Sequence, residues 1–284
     1  MRTRFLARWA ILAAMRHLLR CVACAAATLA AGNAMAQDAC KLAPPGVAQA
    51  SAAQVGTAQV ATVQDFTVQV AAVRDGRTLA LRDGRELRLA AIETPPAAQS
   101  ALATLATGKT LTLKRLGPDT DRYSRVVAFA FPLDTPASLQ QSLLEAGEAR
   151  VAARVGDKAC ADALLTTEAA ARAAKRGLWA DPNFAPLPAD HGTEIIAKRG
   201  QFVLVEGKVL SVHESGSTIY LNFSRRWSKG FSVAIATRAR RQFAAAGMEP
   251  KQLEGKPIRV RGWIEQRSGP LIEAAAPEQI ELIH

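Results

Sequence analysis

Two Asp-Gly pairs, at 75–76 and 83–84, stand eight residues apart. Glycine accepts the positive φ that a tight hairpin needs, and aspartate closes such a turn onto its own backbone. Only the run 78–81 fits as a strand between the two turns. The chain must therefore go back and forth here as short antiparallel strands. Before the first turn, Phe66, Val68 and Val70 alternate with polar residues, which marks a strand over 66–73. After the second turn a third strand covers 86–92, and Thr94-Pro95-Pro96 stops it because proline cannot donate to a ladder.

The pattern then changes. A helix is expected over 97–107, ending at Gly108, followed by strands over 110–115 and 126–131. Two helices follow, 139–146 ending at Gly147 and 158–175. The second carries an apolar stripe of Cys160, Ala163, Leu164, Thr167, Ala171 and Ala174. Gly177 suits its C-terminal cap, and Trp179 is expected to fold back on the core. Five strands with one helix among them and helices after them imply a small Greek-key barrel of the OB type over residues 66–180.

Residues 181–192 hold three prolines and read as a linker. Strands over 202–213, 218–223 and 231–235, a helix over 237–246 capped by Thr237, and strands over 257–266 and 271–273 repeat the order in 193–284. The fold class is thus mainly β with some α: one OB-fold barrel followed by a second OB-like barrel.

Formal net charge is +11. Residues 1–36 contribute five arginines and no acid, which leaves 31 basic and 25 acidic residues, or +6, for the rest. That excess is compatible with nucleic acid or another polyanion. The basic, apolar residues 1–36 end in Ala34-Met35-Ala36, an export signal with its cleavage pattern. Met15 is a second plausible start. The mature chain is expected to begin at Gln37, in the periplasm or outside the cell, with 37–65 as a low-complexity tether. Cys40 and Cys160 would then remain, and two cysteines in an exported chain are expected to form one disulfide.

Three blocks of 66–180 resemble the thermonuclease family, the staphylococcal-nuclease-like proteins. They are "DGRTLAL" with "RLAAIETP", "DRYSR", and "SLLEAGEARV" with "EAAARAAKRGLW". The resemblance implies an OB-type barrel that cleaves DNA and RNA phosphodiesters with calcium. It assigns one phosphate-gripping arginine to Arg88 and a second to Arg125, and it places Glu93 where one metal aspartate stands. Arg77 occupies the place of the other metal aspartate, and a guanidinium is not a calcium ligand. Pro96 occupies the place of the glutamate that assists water, and it has no titratable group. Strict alternation also puts Arg88 and Glu93, five apart, on opposite faces, so they converge only if Glu93 lies beyond the strand. Asp75, Asp83, Asp119 and Asp121 form a reserve of nearby carboxylates.

The phosphate-gripping half of a nuclease is therefore present and its water-activating half is altered. Binding of single-stranded DNA, RNA or another polyanion is the expected function, with calcium a doubtful cofactor. The alternative is an active nuclease with a changed metal site, and a third option is a protein-binding or envelope-structural role. In the second barrel, Arg225, Arg226, Trp227 and Lys229 combine charge with an aromatic, as single-strand binding requires.

Overall fold

A computed structural model of the chain describes residues 66–115, 120–225 and 230–283. The expected signal segment, the tether and Cys40 lie outside the described residues. So do Asp119, Arg226, Trp227 and Lys229.

The first unit contains β1 (Phe66–Asp75), β2 (Thr78–Leu81), β3 (Glu86–Leu89), β4 (Ile92–Glu93), β5 (Thr110–Lys114), β6 (Val126–Pro132) and β7 (Arg150–Val151). Its helices are α1 (Ala98–Ala106), α2 (Leu139–Glu145) and α3 (Lys158–Ala173). Five strands close a barrel in the order β1-β2-β3-β6-β5. The first half of β1 pairs with β5 and its second half with β2. Leu79, Leu81, Leu87 and Leu89 point into the barrel, where Phe129, Phe131, Leu111 and Leu113 meet them. The opposite parity of β2 and β3 carries Thr78, Ala80, Glu86 and Arg88.

The run 86–92 is not one strand. It breaks after Leu89, and Ala91 takes a left-handed φ of 63° before β4 begins. That kink changes the parity of the residues beyond it. β4 then pairs with β7 rather than with the barrel, setting Glu93 opposite Arg150.

The second unit contains β8 (Leu187–Pro188), α4 (Gly192–Ala197), β9 (Phe202–Lys208), β10 (Ser211–Ser215), β11 (Thr218–Asn222) and β12 (Ser232–Ala236). After these come α5 (Arg240–Ala245), β13 (Pro257–Gln266), β14 (Pro270–Glu273) and β15 (Ile280–Leu282). The sheet runs β10-β11-β12-β14-β13-β9-β8, with β15 on β13. β9 and β10 are separated by Val209 and Leu210 alone, so the path returns to a single bent strand. The order around that strand repeats the first barrel's, down to the parallel pairing of β12 with β14, which matches that of β3 with β6. Residues 187–188 of the proline-rich stretch pair with β9, so this stretch is woven into the sheet. Thr237 does not cap a helix side chain to backbone; it stands in a short 3-10 turn and its hydroxyl donates to the Ser217 carbonyl at 3.2 Å.

The two units meet on buried charge. Arg261 of β13 and Glu168 of α3 are both fully buried. Arg261 donates to Glu168 at 2.8 and 3.1 Å and to the Val151 carbonyl at 3.1 Å, and it also pairs with Glu281. Glu168 further accepts from the Val151 amide at 2.6 Å and from Arg172 at 2.9 Å. Beside this network Trp179, Ala171, Phe202 and Leu204 form an apolar cluster. Trp179 thus folds back as expected, but onto the join between the units and not into the first barrel's core.

Candidate nucleic-acid interface

The β1–β2 turn is pressed against the end of β4. A Cβ on Gly76 would lie 2.7 Å from the Thr94 hydroxyl and 2.9 Å from the Pro95 carbonyl, so only glycine permits this approach. The turn is closed by Asp75, which accepts from the Arg77 amide at 2.8 Å. Arg77 is thereby aimed at Glu93. Its guanidinium pairs with the Glu93 carboxylate and donates to the Ile92 carbonyl at 3.0 Å. Both side chains are about five-sixths buried, with 16% and 15% exposed. Arg150, held across the β4–β7 pair, adds a second positive charge felt by Glu93.

Arg88 faces the same region from β3. Burial pushes its pKa down first, and the charges of Arg77 and Arg125 push it further; Glu93 and Asp75 act in the opposite sense. Glu93 is thus among the charges that act on Arg88, and the kink at Ala91 takes it out of the straight-strand parity. The guanidinium stays charged throughout the physiological range. Among the described residues its side chain makes no hydrogen bond or ion pair with any partner. Directly across the β2–β3 ladder stands Thr78, 3% exposed, whose hydroxyl also has no partner among the described residues.

Arg125 completes the cluster at the start of β6. The turn before it places Ser124 at φ 61°, and Asp121 ties it together by accepting from the amides of Tyr123 and Arg125 at 2.9 and 3.1 Å. Asp121 also accepts from the Arg125 side chain at 2.9 and 2.7 Å. Burial pushes the Asp121 carboxyl up, but these hydrogen bonds outweigh it and hold the group below the usual carboxylate range. One edge of Arg125 is spent on Asp121, and its plane lies 4.9 Å over Tyr123, whose ring is 62% exposed.

Of the reserve carboxylates, Asp75, Asp83 and Asp121 each accept from the backbone of their own turn. Among the described residues no group of three or more His, Cys, Asp or Glu is placed to hold a metal ion. Pro96 is exposed at the head of α1, where its carbonyl accepts from the Gln99 amide at 3.2 Å. Sequence reasoning missed Thr78 and Arg150. Alternation places Thr78 on the face of Arg88, but nothing in the alternation announces that it is buried. Arg150 carries no motif at all.

In the second barrel, Arg225 lies on the rim of a cavity formed over β10, β11 and β12. Cys160 is fully buried on α3, and its expected partner lies outside the described residues. No described helix is long and apolar enough to cross a membrane.

No curated protein matches the chain. A family model described as staphylococcal nuclease homologue matches residues 87–181. The match takes in Arg88, Glu93 and Arg125, together with β4 to β7 and all three helices around the barrel. The five strands close an OB-type barrel, and the family match makes residues 87–181 similar to staphylococcal nuclease homologues.

Proposed function

We propose that the chain binds single-stranded nucleic acid by its phosphates, without a metal, through Arg88 and Arg125 of the first barrel. The observation that carries this reading is the unpaired, half-buried guanidinium of Arg88. Among the described residues its five N–H donors in a planar fork have no acceptor, and two further guanidiniums act on it as positive charge. A phosphate supplies the missing acceptors and relieves the repulsion among the three arginines. The Thr78 hydroxyl adds a neutral donor, and Tyr123 offers an exposed ring for a neighbouring base.

Calcium does not fit this site. It requires several hard oxygen ligands, and the carboxylate at the centre, Glu93, is already neutralised by Arg77. A guanidinium built into the hairpin takes the role of a cation that would otherwise be recruited.

Fluorescence anisotropy with a labelled single-stranded oligonucleotide tests the reading. Binding is expected to persist in a chelator and to weaken with salt, with a slope of about −0.7 per phosphate contact. Arg88→Ala is expected to weaken it by about 10- to 100-fold, the size of lost hydrogen bonds to a charged group. A strict calcium requirement, or indifference to Arg88→Ala, would sink the proposal.

The same reading places the protein outside the cytoplasm, supported by the basic, apolar residues 1–36 and their Ala34-Met35-Ala36 ending. A Cys40–Cys160 bridge would tie the tether to α3 and contribute about 4–5 kcal/mol in the chain-entropy model. The intact mass of the exported protein, taken with and without reduction and alkylation, is expected to show a chain starting at Gln37 with no free thiol. An unprocessed N-terminus refutes export, and two thiols alkylated without reductant refute the bridge.

A further inference from the structure

The face of the second barrel that corresponds to the arginine site of the first holds a cavity of about 870 Å³. In the first barrel the site lies on β2 and β3, and residues 120–125, leading into β6, deliver Arg125. In the second, the equivalent strands are β11 and β12, and the β13–β14 connection delivers Arg267.

The cavity floor has two cross-strand rows. In one, Asn222 donates to the Ser211 hydroxyl at 3.3 Å and accepts from the Ser232 hydroxyl at 3.0 Å. This row is satisfied within itself and fixes the floor. In the other, Tyr220 lies directly opposite His213 of β10. Arg225 stands on one wall and Arg267 on another, while Leu210, 46% exposed, adds an apolar rim. Among the described residues Arg267 has one distant carboxylate, Glu273 at 3.9 Å, with both side chains half exposed, so its fork is available to a ligand. No carboxylate among the described residues lines the cavity.

We infer that this cavity is a second binding site for a short single-stranded segment of nucleic acid, with a base stacked on Tyr220 and phosphates met by Arg225 and Arg267. The inference rests on the proposed function of the first barrel. A sulfated or carboxylated glycan would use the two arginines but offer the ring and Leu210 only the small apolar face of a pyranose, a lesser stacking surface than a base. A nucleotide uses all of them. Stacking on an aromatic ring with phosphates on arginine forks is the arrangement that sequence-tolerant single-strand binding needs.

The test uses the full chain and a labelled oligonucleotide of about 8 nucleotides, within the span of one such barrel. In an Arg88→Ala background, which disables the first site, residual binding is expected to remain. Tyr220→Ala added to that background is expected to weaken it by about tenfold or more, and Tyr220→Phe to restore it. Arg267→Gln, at an exposed turn where folding is not at stake, is expected to lower the salt slope by about 0.7. If Arg88→Ala abolishes all binding, or if Tyr220→Ala and Arg267→Gln both leave the residual binding unchanged, the second site is refuted while the first stands. If the unaltered chain binds a heparin-derived oligosaccharide and no oligonucleotide, both readings fall.

Discussion

Arg261→Ala is expected to lower the stability of the folded chain by about 3–5 kcal/mol, the usual cost of leaving a buried charge without its partner. Glu168 is fully buried, and of its acceptor bonds only those from Arg172 and the Val151 amide would survive. Urea unfolding followed by tryptophan fluorescence reads the loss as a lower midpoint at similar slope. Trp179 reports from the join itself. Replacing both members together, Arg261→Met with Glu168→Leu, is expected to recover much of the loss, because the desolvation of two charges is then removed along with their attraction. An Arg261→Ala protein as stable as the parent would show that the network contributes nothing. The same network makes the join sensitive to acid. Burial pushes the Glu281 carboxyl up, but Arg261, Arg259 and Arg172 outweigh it and hold the group below its ordinary value of 4.5. A carboxyl depressed in the folded state stabilises fully above its unfolded pKa, and that contribution disappears as the pH falls through the lower folded value. Stability is therefore expected to drop below pH 4.5 and not on the alkaline side.

Catalysis gives the second large effect. Denatured DNA with calcium is expected to be cleaved at least ~10²–10⁴-fold more slowly than by a domain with an intact general base, because Pro96 has no proton acceptor and Arg77 neutralises Glu93. Gel assays over a panel of divalent metals measure this. Arg77→Asp with Pro96→Glu tests whether the two changes suffice to account for it. The double variant puts one carboxylate in place of the guanidinium that pairs with Glu93 and a second at position 96, with Arg88 and Arg125 unchanged. Robust calcium-dependent cleavage by the unaltered chain, abolished by Arg88→Ala, would overturn the binding-only reading and show that other carboxylates have taken over.

Much of the first barrel is written in local chemistry. The paired Asp-Gly turns and the alternation of Phe66, Val68 and Val70 place β1 to β3 because turn residues and period-two burial act over a few neighbours. The helix over 158–175 is likewise legible from its stripe. What escaped has a different origin. β4 and β7 are two residues each, and their pairing follows from the left-handed bend at Ala91, which no residue type announces. The odd spacing of Arg88 and Glu93 therefore looked prohibitive in a straight strand and is resolved by a kink. The run 202–213 reads as one long strand, yet it bends at Val209-Leu210 so that one strand can serve two partners. Arg261 sits in an alternating strand where an arginine reads as solvent-facing; only the approach of Glu168 from another unit, 93 residues away, makes its burial possible. The ion pair of Arg77 with Glu93 was hidden for a related reason. Arg77 and Glu93 stand sixteen residues apart in the sequence, and only the contact of the hairpin with β4 makes them a compensated pair.

The recognisable stretch ends at residue 181, on the near side of the join. The length of chain that resembles the family and the length over which the buried groups are partnered are then different. A fragment trimmed to the matched borders would present Trp179 to water and strip Glu168 of Arg261, while the remainder would keep Arg261 paired with Glu281 but without Glu168 and the Val151 carbonyl. Gene fusions, proteolytic dissection and expression of isolated pieces should succeed or fail according to where this lock is cut, and a cut in the proline-rich stretch, attractive by composition, divides it.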